Sequence, residues 1–426
     1  MESNNTTRRT FLQTSAALTA TSLVAANAHA QGNDLLKVGL IGCGQRGTGA
    51  ASQALRADRN VKLWAMADAF DDKIQTSLAL LQGEREIADK IEVPAERRHA
   101  GFDGYRQVIS SCDVVLLCTP PHFRPMHIRK AVQANKHIFA EKPCAVDAPG
   151  VRSVLRSCQE ARGRNLSVVS GLCLRHDNGF KDTVKRIHDG AIGDIVALQA
   201  NDLRGPIWRR ERNPNWSEMT WQMRNWYYYT WLSGDFNVEQ HVHYLDVCAW
   251  ILRDTYPIRC VGTGGRQVRT GAEFGHIFDH FSVVYEYANG AKVFSQCRQQ
   301  TGCANDMSCN ALGKRGTGLL TERRRGLILR TPDGERVYDG ATNNMYQTEH
   351  KVLFASIRRA RPINDGEHMA KSTLMAIQAR MAAYTGQTVT WEQAMNSRET
   401  LSPTEYTFDA RPPASAVAMP GVTRLG

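Results

Sequence analysis

Long hydrophobic runs are missing from this 426-residue sequence, and with them any expectation of a membrane-spanning helix. Internal repeats and low-complexity tracts are missing too, which excludes a repeat architecture and leaves a globular composition, 42% hydrophobic and 22% charged. Acidic residues are the minority, 42 against 53 lysines and arginines, for a net charge of +11. The basic residues are scattered, the longest run being Arg323-Arg324-Arg325, and no nucleic-acid-binding motif accompanies them. A solvated basic surface is therefore expected, and no nucleic-acid partner. Closely paired cysteines are also absent. Of the 11, Cys297, Cys303 and Cys309 lack the spacing of a zinc site, so no metal is expected. Cys43, Cys118, Cys173 and Cys248 sit in apolar contexts and read as small buried hydrophobes rather than a disulfide framework.

Residues 1–30 read as an export signal. Arg8-Arg9 precede Phe11-Leu12, a short apolar segment from Ala16 to Ala26, and an Ala28-His29-Ala30 cleavage signal, with cleavage expected before Gln31. The pattern resembles a bacterial twin-arginine signal, which would carry the folded protein to the periplasm. Odd, unpaired cysteines suit a protein folded in a reducing compartment before export.

The length predicts two domains. Residues 35–172 are expected to form a dinucleotide-binding domain. Leu36 to Ile41 reads as a buried strand that runs into Gly42-Cys43-Gly44-Gln45-Arg46-Gly47, then into a helix from Thr48 to Leu55. In such a loop Gly42 permits the tight turn, Gly44 lets backbone approach a pyrophosphate, and Gly47 lets helix pack on strand. The helix N-terminus then offers the anion unpaired N–H groups. A second strand, Val61 to Ala67, ends in Asp68, 21 residues beyond Gly47, where a carboxylate accepts the adenine ribose hydroxyls of NAD. Arg46 keeps NADP open, since a guanidinium could reach a 2′-phosphate. The alternation continues through a helix (72–81), a strand (113–118) stopped by Thr119-Pro120-Pro121, a helix (127–134), the strand His137 to Ala140 before Glu141-Lys142-Pro143, a helix (150–162) and a last strand near 166–171. This predicts βαβ units on a parallel sheet, with Thr119, Pro120, His122, Glu141 and Lys142 at the strand ends that face the crevice.

Residues 173–400 read differently. Strands are expected near 194–200, 260–263, 281–287, 292–297, 307–312 and 326–329, with Ala288-Asn289-Gly290 as a hairpin turn. They imply an open, mostly antiparallel sheet in an α/β domain. A helix from Ser372 to Tyr384 carries Leu374, Ile377, Met381 and Tyr384 at core spacing and ends at Gly386. The proline-bearing tail, 401–426, is expected to run extended along the surface.

With these motifs in place, the chain resembles the Gfo/Idh/MocA oxidoreductases, over about residues 36 to 390. The resemblance implies a Rossmann domain that binds NAD or NADP and a second domain that presents sugars or cyclitols to it. It implies a catalytic lysine at Lys142, with a cis Lys142–Pro143 bond. It also implies a helix motif in which Glu239, His243 and Asp246 stand at the family's acid, histidine and acid positions. Glu239 replaces the usual aspartate, and His241 is an additional histidine. The expected activity is hydride transfer between a CH–OH carbon and a tightly bound nicotinamide cofactor. His243 would act as acid/base, Lys142 would polarise the oxygen, and Glu239 and Asp246 would orient or tune them. An NAD-dependent glycoside hydrolase of the same superfamily and a non-catalytic nucleotide-binding protein are the alternatives.

Helical projection independently puts Glu239, His243, Asp246 and Trp250 in one stripe beside an apolar face of Val238, Val242, Leu245 and Ala249. The plainer reading is a local pairing of His243 with Glu239. On a helix His241 and His243 diverge, which disfavours a two-histidine metal site. Five of the eight tryptophans crowd into residues 208–231 beside several arginines, and Trp226, Tyr229 and Trp231 are expected to stack on a sugar ring. An oligomer interface explains that segment equally well, and a homodimer or homotetramer is expected.

Overall fold

The computed structural model of the chain describes residues 34–426 apart from 324, 414 and 415. The paired arginines, the apolar segment and the cleavage site lie outside the described residues.

Two sheets organise the chain. The first comprises β1 (Leu36–Ile41), β2 (Val61–Asp68), β3 (Arg98–Ala100), β4 (Val114–Leu117), β5 (His137–Ala140) and β6 (Val168–Ser170). They lie in the order β3-β2-β1-β4-β5-β6 and every neighbouring pair is parallel. Helices Gln45–Ala57, Asp71–Gln82, Gly104–Ser111, Arg124–Gln133 and Ala148–Gly163 connect them. With helices on both faces, the central strands bury both of theirs: Val38, Leu40, Val114, Val115, Leu116 and Leu117 have no exposure. Strand order reverses between β1 and β4, so the loops after these strands part and open a crevice at their carboxyl ends.

The second sheet holds β7 (Ile195–Arg204), β8 (Arg259–Gly265), β9 (His280–Glu286), β10 (Lys292–Gln299), β11 (Asp306–Gly313), β12 (Gly316–Leu320), β13 (Leu327–Thr331), β14 (Gly334–Val337) and β15 (Val389–Thr390). The order is β14-β13-β12-β11-β7-β10-β9-β8-β15, antiparallel except for β7 beside β10. One face is covered: Leu198, Ala200, Val283, Tyr285 and Val293 pack with Val242, Leu245 and Leu374 from helices Val242–Ile251 and Gly366–Thr385. The other face is open and leaves Val261 and Phe294 more than two-fifths exposed. The hairpin between β9 and β10 turns where Asn-Gly predicts, but the positive φ, 84°, falls on Gly290 alone, whose N–H donates to the Tyr287 carbonyl at 2.9 Å. That is a three-residue loop rather than a two-residue one.

Three features depart from the sequence reading. The helix Gly366–Thr385 buries nearly its whole circumference rather than a stripe, because it lies between the second sheet and the helix Ala148–Gly163. A helix the sequence reading did not anticipate, Met345–Arg358, returns to the first domain and docks on Gln45–Ala57, with Arg358 paired to Asp58 at 2.9 Å. The tail does not simply trail along the surface. Phe408 lies 4.9 Å from Phe102 and 5.4 Å from Phe70, ring to ring, and the Tyr406 hydroxyl sits 2.8 Å from His122 Nε2. Among the described residues no helix is long and apolar enough to cross a membrane.

Candidate active site

The crevice between β1 and β4 deepens into a cavity of about 480 Å³. Gly42 turns the chain off β1 at φ 95°, a conformation in which an added Cβ would lie 2.5 Å from the Thr119 nitrogen. At Gly47 a Cβ would stand 1.9 Å from the Gly42 carbonyl oxygen, so only glycine lets the helix start this close to the strand. Gly44 is the contrasting position: a Cβ there would meet nothing within 4 Å, because the backbone faces the open cavity. Backbone exposed at a helix N-terminus is what a pyrophosphate needs, so the residues present fit a dinucleotide.

Asp68 stands in the cavity wall at the end of β2, where a ribose would lie. Its carboxylate accepts from the Cys43 N–H at 2.7 Å and the Phe70 N–H at 3.0 Å, which fixes its orientation at the cavity wall. Burial pushes the carboxyl above its usual range, while those two donors pull it back. Each oxygen takes two donors, so both can still accept from ribose hydroxyls. Arg46 does not compete for that end. Its guanidinium donates to Glu141, to Glu349 at 2.8 Å and to Gln53 at 2.9 Å, clamped between two buried carboxylates. The side chain the sequence left open for a 2′-phosphate is therefore committed elsewhere. Gln45, Thr119 and Pro120 line the cavity, whereas His122 lies outside it, its ring 5.0 Å from that of Trp231.

Lys142 follows β5 across a cis Lys142–Pro143 bond. Its Nζ donates to Glu239 Oε1 at 3.0 Å and to the Glu239 carbonyl at 2.6 Å, so the lysine of one domain is held by a carboxylate of the other. Both side chains are nearly nine-tenths buried. His243 lies on the adjoining turn, with Nδ1 buried and without a partner among the described residues. Burial, and next the Lys142 ammonium, hold its pKa well below the ordinary histidine value, so the ring is neutral at physiological pH. The helix that carries these residues is not continuous: Phe236–Glu239 ends at Gln240, and Val242–Ile251 begins afresh with His241 as its N-cap. His241 diverges from His243, its Nε2 lying 2.9 Å from Ser295 Oγ on β10.

Two expectations are corrected. Asp246 does not tune His243: its oxygens accept from Arg175 Nε at 2.8 Å, Arg175 Nη2 at 2.9 Å and Ser372 Oγ at 2.7 Å, in a pair that ties the helix to the core. Tyr229 and Trp231 are not free to stack on a ligand. Trp231 has no exposure and donates through Nε1 to Gln222 at 2.7 Å, and Tyr229 packs its ring 5.4 Å from His276. Of the three, Trp226 lines the dinucleotide cavity. There it joins Trp208, Arg210, Met223 and Arg224 as a roof that the sequence reading did not assign.

Two family models cover most of this ground. Residues 36–169 match "Oxidoreductase family, NAD-binding Rossmann fold", and residues 180–318 match the GFO/IDH/MocA C-terminal domain. The chain belongs to the Gfo/Idh/MocA family. It is an oxidoreductase with NAD as its cofactor. Among curated relatives it is similar to an inositol 2-dehydrogenase of Cereibacter sphaeroides, 26% identical over 296 residues, which are 67% of this chain and 74% of that one. Solved structures of the same fold include a scyllo-inositol dehydrogenase of Lactobacillus casei with bound NAD(H) and scyllo-inositol (TM-score 0.63, 15% identity, 84% of this chain and 100% of that chain covered). An aldose-aldose oxidoreductase of Caulobacter crescentus has a TM-score of 0.65 at 16% identity, with 84% and 99% covered.

Proposed function

We propose that this oxidoreductase acts on a CH–OH carbon of a cyclitol or sugar, with Lys142 and His243 as the groups on the hydroxyl. The observation that carries the reading is the Lys142–Glu239 contact across the two domains beside a neutral imidazole. Bound NAD supplies the hydride acceptor. The chain's own part is proton handling and positioning. The Lys142 ammonium, anchored by Glu239, donates a hydrogen bond to the substrate oxygen and favours its negative charge. Neutral His243 accepts the hydroxyl proton, and the nearby ammonium makes the imidazolium short-lived, so the proton passes on. The inositol dehydrogenases among the relatives support a polyhydroxylated ring as substrate.

The test is a panel of cyclitols and sugars added to purified protein, with the absorbance of bound cofactor followed. His243→Ala and Lys142→Ala are each expected to slow cofactor reduction by about 10²–10⁴-fold while cofactor is retained, and the double variant is expected to be little worse. Full activity in His243→Ala overturns the assignment. Release of free sugar from a glycoside, without net cofactor change, points to a hydrolase, and no response in the wild type points to a binding protein.

Two further readings belong with this proposal. The Arg8-Arg9 signal supports export to the periplasm with processing before Gln31. The exposed Val261 and Phe294 on the open face of the second sheet support pairing with a second copy of this chain.

A further inference from the structure

The wall of the dinucleotide cavity carries more cationic than anionic side chains, Arg46, Lys73, Arg210 and Arg224 against Asp68. Lys73 enters from the first turn of the helix Asp71–Gln82, just after Asp68, and Arg210 enters from the chain that crosses the cavity between β7 and the helix Glu218–Arg224. Neither side chain forms an ion pair with the described residues, although the remainder of the roof is tied down. Arg224 makes a two-point pair with Asp72, at 2.7 and 3.1 Å, and stacks 4.0 Å over Phe70. The Trp208 carbonyl accepts from the Tyr228 hydroxyl at 3.1 Å, and the Arg210 N–H donates to Asn225 Oδ1 at 2.9 Å. Arg210 is thus held over the cavity by its backbone while its guanidinium lies 5.7 Å from the Trp208 ring and meets no carboxylate among the described residues. Burial and next the charge of Arg210 lower the Lys73 pKa, against the opposing pull of Asp72 and Asp68. An anion between the two cations relieves their mutual repulsion.

We propose that Lys73 and Arg210 form a clamp, one residue from each domain, on a phosphate group of the bound dinucleotide, and that this clamp retains the cofactor beneath the roof. The glycine loop holds the dinucleotide from one side through backbone N–H groups, and the clamp closes on it from the other through charge. Two phosphates offer that chemistry, the pyrophosphate of any dinucleotide and the 2′-phosphate of NADP. The proposal rests on a dinucleotide occupying this cavity and is independent of the substrate.

The experiment measures binding rather than turnover. Full-length wild type, Lys73→Ala, Arg210→Ala and the control Arg209→Ala, whose arginine pairs with Glu211 at 3.1 Å, are titrated with NAD and with NADP. Quenching of tryptophan fluorescence reports affinity, Trp208 and Trp226 being in the cavity wall. Release of pre-bound cofactor on gel filtration reports retention, and thermal melting without cofactor reports folding. Each clamp variant is expected to bind about tenfold more weakly, release cofactor faster and lose salt sensitivity, with unchanged melting. Equal losses for NAD and NADP support the clamp with pyrophosphate as its ligand, and losses confined to NADP support it with the 2′-phosphate. Unchanged affinity in both variants, or an equal loss in Arg209→Ala, overturns the clamp while leaving the dinucleotide site standing. A wild type that binds neither dinucleotide overturns both.

Discussion

Lowering the pH from 7.5 to 5.5 is expected to destabilise this protein by about 4 kcal/mol through three buried histidines alone. His122, His127 and His241 are at most 8% exposed. Burial lowers their pKa values to about 4, 3 and 3. An unfolded histidine titrates near pH 6.5, so at pH 5.5 it is about nine-tenths protonated while these rings remain neutral. The unfolded state therefore binds more protons, and stability falls as pH falls through the unfolded pKa. The difference is about 1.4 kcal/mol per ring at pH 5.5 and under about 0.1 at pH 7.5. His243 and His350, also held neutral by burial, act in the same direction. Asp235 and Glu349 oppose them: burial pushes the Asp235 carboxyl up to about 6, where protonation recovers less than about 1 kcal/mol, and holds that of Glu349 well above its usual range. Against a typical stability of about 5–15 kcal/mol the histidine contribution is large. Denaturant titrations at the two pH values measure it. His127→Phe keeps a ring against Tyr105, 4.3 Å away in the native protein, and should shed about a third of the pH dependence. A midpoint that does not move between pH 7.5 and 5.5 refutes the reasoning, as does a variant with undiminished dependence.

Asp246→Ala should destabilise by about 1–3 kcal/mol, because Arg175, only 12% exposed, then keeps just the outlying Asp254, 2.6 Å away; an unchanged melting temperature would show that the buried pair is not structural. Replacing Arg8 and Arg9 together with lysine preserves charge but should leave the precursor in the cytoplasm, and periplasmic protein processed before Gln31 in that variant would exclude the twin-arginine route.

The first sheet and its loop were legible in the sequence because every signal there is local. A run of apolar residues, three glycines and an acid at fixed spacing specify a strand, a turn, a helix start and a ribose acceptor within 33 residues of one another. Lys142 was legible for the same reason, as the end of a buried strand. What lies across the molecule was not. Helical projection assumed one straight helix from Val238 to Trp250, but the break at Gln240 and His241 separates Glu239, which turns to Lys142, from Asp246, which turns to Arg175. Arg175 is 71 residues away in sequence, and no spacing rule reaches it. The tryptophan-rich segment shows the same limit. Its composition announced an aromatic cluster, but whether a given ring fills the core, as Trp231 does, or roofs a cavity, as Trp226 does, depends on what packs above it. Local periodicity and backbone chemistry are set by neighbours along the chain, so the sequence alone determined the sheet, the loop and the cofactor. The partners of Asp246, the fate of Arg46 between Glu141 and Glu349, and the convergence of Lys73 with Arg210 are set by contacts between distant segments, which only the packing of two domains decides.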